Sequence, residues 1–253
     1  MIEYKKIFCE NELKELIHLG AEISWGFTES EATLPYHTLM TILESGGVIF
    51  GAFLEGKIIG YSISTIALKE EYSLYLYMLG VSKHHTSKGI GQQLFLKNEQ
   101  FAIDKKMNSI YWSFNPLDPS AANLYLHKLN AIIKKPIFYN MYGIDDNGLP
   151  TDRFLAVLEI SPNIKKRSIN NSFPENFQID SSLINSSTQF NLNNHNSIAI
   201  EFPISFNNID MKEFILKFRV LFDKYLKKFI VVDFVRLKNE KKCYYILKKN
   251  IKS

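Results

Sequence analysis

The sequence predicts an α/β chain, an α+β mixed sheet followed by a smaller C-terminal β-α-β-β lobe. Three observations predict it. Three apolar segments, Val48–Leu54, Lys57–Ala67 and Ser73–Val81, follow one another at strand length with only short breaks. The third runs through a glycine-bearing turn into an amphipathic helical pattern from Gly91 to Lys106, with Leu94, Phe95, Asn98, Phe101 and Ala102 on one stripe. Residues 161–196 then turn Ser- and Asn-rich with few spaced apolar positions, and structured patterning resumes at 197. The expected organisation is a main domain over 1–160, a loop or linker over 161–196 and a small lobe over 197–253.

The other elements follow in order. Ile2–Phe8 alternates like an edge strand, and Asn11 is positioned as an N-cap for a helix burying Leu13, Leu16, Ile17 and Ala21. A short helix begins after Pro35 and stops at Gly46-Gly47. Glu55-Gly56 is a hairpin turn between the first two apolar segments. Beyond the long helix come a strand at Ser109–Phe114, a helix near Pro119–Leu129 and strands near Ala131–Tyr142 and Arg153–Ile160. In the tail, Ile198–Phe202 is a strand and Asp210 caps a helix with Phe214, Ile215, Phe218, Phe222 and Tyr225 on one side. Phe229–Leu237 and Cys243–Leu247 form a closing pair of strands, either a degenerate second half or an extension of the first sheet. No sequence repeat stands out.

Composition narrows the function. With 253 residues, 46% of them hydrophobic and 22% charged, the chain is an ordinary globular protein. A net charge of +4 is too mild and too dispersed to indicate nucleic acid, and the tail lysines form a solvated basic face. No stretch approaches the ~20 apolar residues that cross a bilayer, and the N-terminus lacks a signal-peptide core. The two cysteines, Cys9 and Cys243, make no disulfide framework. The expectation is a cytoplasmic protein with no membrane and no nucleic-acid partner. Its histidines (18, 37, 84, 85, 127 and 195) fall in no metal-ligand spacing, so no metal is expected.

The chemistry concentrates in Leu79–Gly91. Small residues between a strand and a helix let several backbone N–H groups converge on one anion, and the helix adds its positive dipole end. A pyrophosphate fits this arrangement. A dinucleotide fingerprint would need a third glycine where Leu94 stands, and a P-loop would need Gly-Lys-Ser/Thr; neither is present.

Thr86-Ser87-Lys88-Gly89-Ile90-Gly91 resembles the Arg/Gln-x-x-Gly-x-Gly/Ala loop of the GNAT acyltransferases, with Thr86 in place of Arg or Gln. The resemblance extends to a subgroup of predicted GNAT enzymes with a C-terminal extension. It is carried by Leu34-Pro35-Tyr36-His37, Gly46-Gly47 through Gly51-Ala52-Phe53, Met78-Leu79-Gly80-Val81, Asn115-Pro116-Leu117 and His127-Lys128-Leu129. Gly148-Leu149-Pro150-Thr151-Asp152-Arg153-Phe154, Ile200-Glu201-Phe202-Pro203 and Tyr244-Tyr245-Ile246-Leu247 match too. The resemblance implies the GNAT acyl-CoA N-acyltransferase fold, acetyl-CoA or another acyl-CoA as co-substrate, and transfer of a short acyl group to an amine. The expected acceptor is a small molecule, an amino acid among the candidates. A catalytically silent CoA-binding or ligand-sensing module and a protein N-acetyltransferase are the alternatives. The tail either completes the domain or mediates a homodimer.

It also implies site residues. Thr86, Ser87, Lys88, Gly89, Ile90 and Gly91 would hold the pyrophosphate, the backbone of Leu79, Gly80 and Val81 would pair with the pantetheine arm, and Asn115 would contact the cofactor near the thioester. The oxyanion donor is expected near Leu79 or Gly80. Tyr75 stands where many relatives carry a Glu on the fourth strand. A phenol with a pKa of ~10 is a poor base at neutral pH, so Tyr75 would orient a water or line the pocket. The thiolate-side tyrosine position falls at Leu126, leaving adjacent Tyr125 as the acid, with Tyr139 and Tyr142 behind it. His37, Tyr77 and Arg153 are the acceptor-side candidates; Trp25 and Phe27 line that side or pack the first helix. Arg153 would hold a carboxylate or pair internally with Asp152. Core packing is the competing reading of Tyr75 and Tyr77, and turn formation that of Asn115.

Overall fold

The computed structural model describes residues 1–23, 34–68, 71–137, 141–145, 147–160, 178–180, 196–203, 207, 209–236 and 242–250. Trp25, Phe27, Tyr139, His195 and most of the predicted 161–196 loop lie outside the described residues. The chain divides into two compact units, Met1–Trp112 with Glu159–Lys165, and Ser113–Leu158 with Lys166–Ser253.

The first unit begins with β1 (Ile2–Lys6), α1 (Glu10–Ile23), α2 (Tyr36–Glu44), β2 (Val48–Leu54), β3 (Lys57–Leu68) and β4 (Tyr72–Val81). A 3₁₀ turn (Lys83–His85), α3 (Ile90–Asp104) and the start of β5 (Ser109–Phe114) complete it. Its strand order is β1-β2-β3-β4-β5, antiparallel except for the parallel β4–β5 pair. Asn11 is not the cap of α1: the helix already includes Glu10, and Leu13 N–H bonds to Cys9 O at 3.1 Å. An acidic first residue suits the helix dipole as well as an Asn cap would. Glu55 and Gly56 both have positive φ, 51° and 78°, as a hairpin turn of this length favours.

Alternation along β3 sends side chains to two layers. Tyr61 and Ile63 join Leu13, Leu16, Leu39, Ile42 and Ile49 in the cluster beneath α1 and α2. Gly60, Ser62 and Ser64 face α3 instead. A Cβ at Gly60 would lie 3.2 Å from Ile90 and 3.4 Å from Leu94, so its absence sets how closely the helix approaches the strand.

The second unit holds the end of β5, a helical turn α4 (Pro119–Ala122) that continues as a π-helical turn (Asn123–Lys128), β6 (Ile132–Ile137) and β7 (Arg153–Glu159). The three-residue β8 (Gln178–Asp180) lies within the segment expected to be loop. Then come β9 (Ser197–Pro203), α5 (Met211–Tyr225), β10 (Phe229–Arg236) and β11 (Lys242–Lys249). Asp210 caps α5 as expected, its carboxylate accepting Glu213 N–H at 3.0 Å. The order β7-β6-β10-β11-β9-β8 makes the tail an extension of the β6–β7 sheet, joined at Val231↔Ile133. Tail aromatics close around Phe154 of β7: Phe222, Tyr245 and Phe218 lie at ring-centre distances of 5.1, 5.6 and 5.9 Å. The Tyr245 hydroxyl donates to Pro116 O at 2.6 Å, and Arg219 forks onto Asp152.

Because Phe222 is fully buried in this ring cluster, Phe222→Ala should cost about 3–5 kcal/mol in chemical denaturation. A loss under 1 kcal/mol would show that the tail does not share the core of β7.

A strand edge beside a glycine-capped helix

The candidate site in the first unit starts from what β4 does on its two edges. Toward β3 it is paired along its whole length, from Leu68↔Tyr72 to Gly60↔Val81. Toward β5 the parallel ladder covers Ser73–Tyr75 against Ser109–Tyr111 and ends there. The main-chain groups of Leu76–Val81 that point away from β3 therefore have no ladder partner within this unit, and such groups demand one. Leu79, Gly80 and Val81, expected to meet the pantetheine arm, all lie on this edge.

The β3–β4 register also slips. Ile63 pairs with Met78 and Ser64 with Leu76, so Tyr77 is an extra residue, a β-bulge. Strict alternation from Tyr75 to Tyr77 is broken by the bulge, and Tyr77 is 49% exposed rather than core. Tyr75 occupies the last β4–β5 rung, opposite Tyr111. The bulge was not legible in the sequence: β4 has no glycine or proline there to mark it.

Immediately after β4, the chain forms the expected loop. Ser87 and Gly89 both adopt positive φ, 61° and 77°, with one residue between them. Such alternation turns successive N–H groups toward one side, a concavity that suits an anion. Gly89 is the N-cap of the 15-residue α3, and a Cβ there would meet nothing within 4 Å, so the constraint on it is conformational and not steric. Ile90 anchors the helix start in the core while Thr86, Ser87, Lys88 and Gly89 stay exposed. Thr86 Oγ1 donates to Lys83 O at 3.3 Å and Lys88 Nζ to His84 O at 3.4 Å, so both side chains fold over the loop. His85 Nδ1 is buried there without a hydrogen-bond partner. The loop is compatible with a diphosphate: positive φ alternates at Ser87 and Gly89, no side chain fills the Gly89 position, and Lys88 lies in the loop.

The paired end of β4 and β5 is clamped. Glu71 accepts from Ser109 Oγ at 2.9 Å, Asn108 Nδ2 at 3.1 Å and Tyr111 Oη at 3.4 Å. Ser73 and Ser109 hydroxyls meet at 2.8 Å on the first rung. The Ser109 hydrogen bond, then that of Asn108, hold the Glu71 carboxyl below its usual pKa. Two serines in otherwise apolar strands were the available signal, and the acid that uses them was missed.

The remaining candidates belong to other places. His37 is exposed on the first turn of α2. In the second unit, Asn115 Oδ1 accepts Leu117 N–H at 2.9 Å, the turn-forming role. Tyr125 is buried, its ring 5.4 Å from Phe114, and desolvation pushes its phenol well above the usual value. Leu126 is fully buried. Arg153 Nη2 donates to Ser113 O at 3.0 Å and the guanidinium lies 5.3 Å over the ring of Tyr142. Asp152, the internal partner considered for Arg153, pairs with Arg219. His127 Nδ1 lies 3.0 Å from Asp233 Oδ1. Among the described residues no helix is long and apolar enough to cross a membrane.

With this geometry in view, residues 12–130 match the acetyltransferase (GNAT) family. No curated protein matches the sequence significantly. Among solved structures, the ribosomal-protein-S18-alanine N-acetyltransferase of Escherichia coli aligns over 66% of this chain and 99% of its own, at 15% identity and a TM-score of 0.54. An N-acetyltransferase of Staphylococcus aureus Mu50 aligns over 64% and 99%, at 13% identity and a TM-score of 0.54. A chain of the NatC complex bound to Gag peptide and CoA aligns over 63% and 99%, at 17% identity and a TM-score of 0.51. At these identities the likeness is one of fold: a mixed α/β sheet of the acyltransferase type.

The clamp has a pH signature. A folded-state pKa below the unfolded one adds stability that is complete above the ordinary glutamate value and is lost as pH falls through the lowered one. Ser109→Ala should return the Glu71 pKa upward toward its ordinary value in an NMR titration. An unchanged titration would remove the clamp.

Proposed function

We propose that this chain, whose residues 12–130 match the acetyltransferase (GNAT) family, transfers an acetyl or other short acyl group from acyl-CoA to the amine of a small molecule. The observation that carries the reading is the β5-free edge of β4 running directly into the Ser87–Gly89 nest at the start of α3. An extended arm with an amide-bearing chain satisfies a strand edge as another strand would, and a diphosphate satisfies converging amides at a helix start. A CoA thioester has both parts in that order, and it supplies an acyl carbonyl already activated toward amines.

The chain's own residues then have defined tasks. The bulge at Tyr77 interrupts the ladder with β3, and the main-chain N–H there is the candidate donor for the oxygen that gains charge as the amine attacks. This places the candidate donor two residues before Leu79. An ammonium has no lone pair, so the acceptor must lose a proton first. Tyr75, on the last rung, is suited to orienting a water that carries this proton away, and not to taking it as a base. Asn115 and Tyr125 are assigned to the thioester side. A phenol kept neutral by burial, as Tyr125 is, can donate a hydrogen bond to a departing thiolate. Arg153, whose guanidinium lies over the ring of Tyr142, is assigned to a carboxylate on the acceptor, and His37 and Tyr77 are further acceptor-binding candidates.

The absence of a carboxylate at Tyr75 favours a second reading, a module that binds CoA without turning it over. Thiol release separates the two. Purified protein with acetyl-CoA and a panel of amines, amino acids and N-terminal peptides should liberate free CoA with at least one small amine. Binding without release across the panel would favour the silent module, and release with peptides alone would favour a protein acetyltransferase. Calorimetry tests the shared premise. CoA should bind the wild type, and Gly89→Val, which forces a β-branched residue into left-handed backbone, should weaken binding at least about tenfold. Absent binding, or indifference to Gly89→Val, overturns the assignment.

A further inference from the structure

Asn98 is a polar residue on the buried stripe of α3, fully inaccessible, and the proposed reaction gives it no task. Its amide is spent completely on nearby groups. Nδ2 donates to Ser62 Oγ at 2.8 Å and to Leu94 O at 2.8 Å, while Oδ1 accepts from Ser64 Oγ at 2.7 Å. Ser62 and Ser64 are themselves fully buried on β3. Their main chains sit at the register slip. Ser62 pairs with Leu79, and Ser64 with Leu76, so the two serines bracket the stretch of β4 that contains the Tyr77 bulge.

We propose that Asn98 is a positioning residue that fixes α3 along its axis against the bulged part of β4, and so sets the spacing between the Gly89 anion cradle and the Tyr77 backbone. The proposal rests on the acyl-CoA reading above. A helix packed on a strand through apolar side chains alone can slide or rotate slightly at little cost, because dispersion contacts are not directional. The two hydrogen bonds that cross from Asn98 to β3, at 2.8 and 2.7 Å, are directional, and the third, to Leu94 O within α3, holds the amide in its rotamer. Asn98 lies eight residues into α3 from Ile90, about 12 Å along the axis, so a shift allowed at Asn98 is carried to the cradle by a rigid rod. Gly60 removes the side chain that would otherwise hold helix and strand apart, leaving the amide to set the register.

A merely stabilising role and a positioning role make opposite predictions for a variant that removes all three polar groups. Asn98→Leu with Ser62→Ala and Ser64→Ala leaves no buried donor or acceptor unpaired, so its stability stays near wild type. The positioning role predicts that this triple variant melts within a few degrees of wild type yet binds CoA about tenfold more weakly. Its KM for acyl-CoA should rise and its kcat fall while the KM for the amine is unchanged. Amide exchange should speed up at Gln93 and at Leu76–Leu79. Asn98→Gln, which keeps the amide but lengthens its stem, should not rescue. Wild-type CoA affinity and exchange in the triple variant overturn the proposal. If the triple variant fails to fold, Ser62→Ala alone, which removes one acceptor, decides by the same two readouts. Should the wild type itself bind no CoA, the acyl-CoA reading falls, and the exchange data still decide whether Asn98 couples helix and bulge.

Discussion

The architecture of the first unit turns on where β4 and β5 stop pairing. A parallel pair left zipped along its full length would satisfy its own hydrogen bonds and offer nothing to a ligand. Here the ladder stops after Tyr75↔Tyr111, and each main-chain group beyond it that lacks a partner costs free energy unless water or a ligand supplies one. Zipping at one end is secured by Glu71 and its three donors; pairing to β3 secures the other edge. The open edge is thus held by covalent continuity with the paired end of β4 and by its ladder to β3.

That constraint explains why so few side chains in the loop are distinctive. Thr86 stands where the resembled pattern has arginine or glutamine, yet the features proposed to hold an anion are main-chain ones: positive φ at Ser87 and Gly89, a 15-residue helix behind them, and an anchored Ile90. Lys88, folded over the loop toward His84 O, keeps a positive charge within the loop. Backbone recognition tolerates sequence drift, and identities of 13–17% with structures of the same fold are consistent with that tolerance.

Most of the fold was legible because its signals are local. Apolar runs of strand length marked β2 and β3, the Glu55-Gly56 turn joined them, and the 3.6-residue stripe from Leu94 to Ala102 marked α3. What escaped is what depends on pairing between distant segments. Asn11 was expected as a cap because it is a good capping residue, but where the helix starts is decided by how β1 delivers the chain to Glu10. The Tyr77 bulge exists only relative to β3. Asn98 was visible as one polar member of an apolar stripe, but its meaning needed Ser62 and Ser64, more than thirty residues away. Likewise the Asp152 carboxylate pairs with Arg219, which the tail helix supplies from more than sixty residues away.

The tail illustrates a further physical point. β-α-β-β patterning alone could describe an independent lobe, since a helix on three strands can in principle bury one face. The pairing of Val231 with Ile133, the ring cluster around Phe154 and the Tyr245–Pro116 hydrogen bond argue otherwise. β7 buries Phe154 against Phe114 upstream and against tail rings more than sixty residues downstream, so the tail shares the core of β7. Arg153, the residue assigned to the acceptor, is next to Phe154 on that strand and next to the Asp152 that α5 holds through Arg219. The tail therefore shares the packing of the strand that carries Arg153, whose guanidinium meets Ser113 O and the ring of Tyr142.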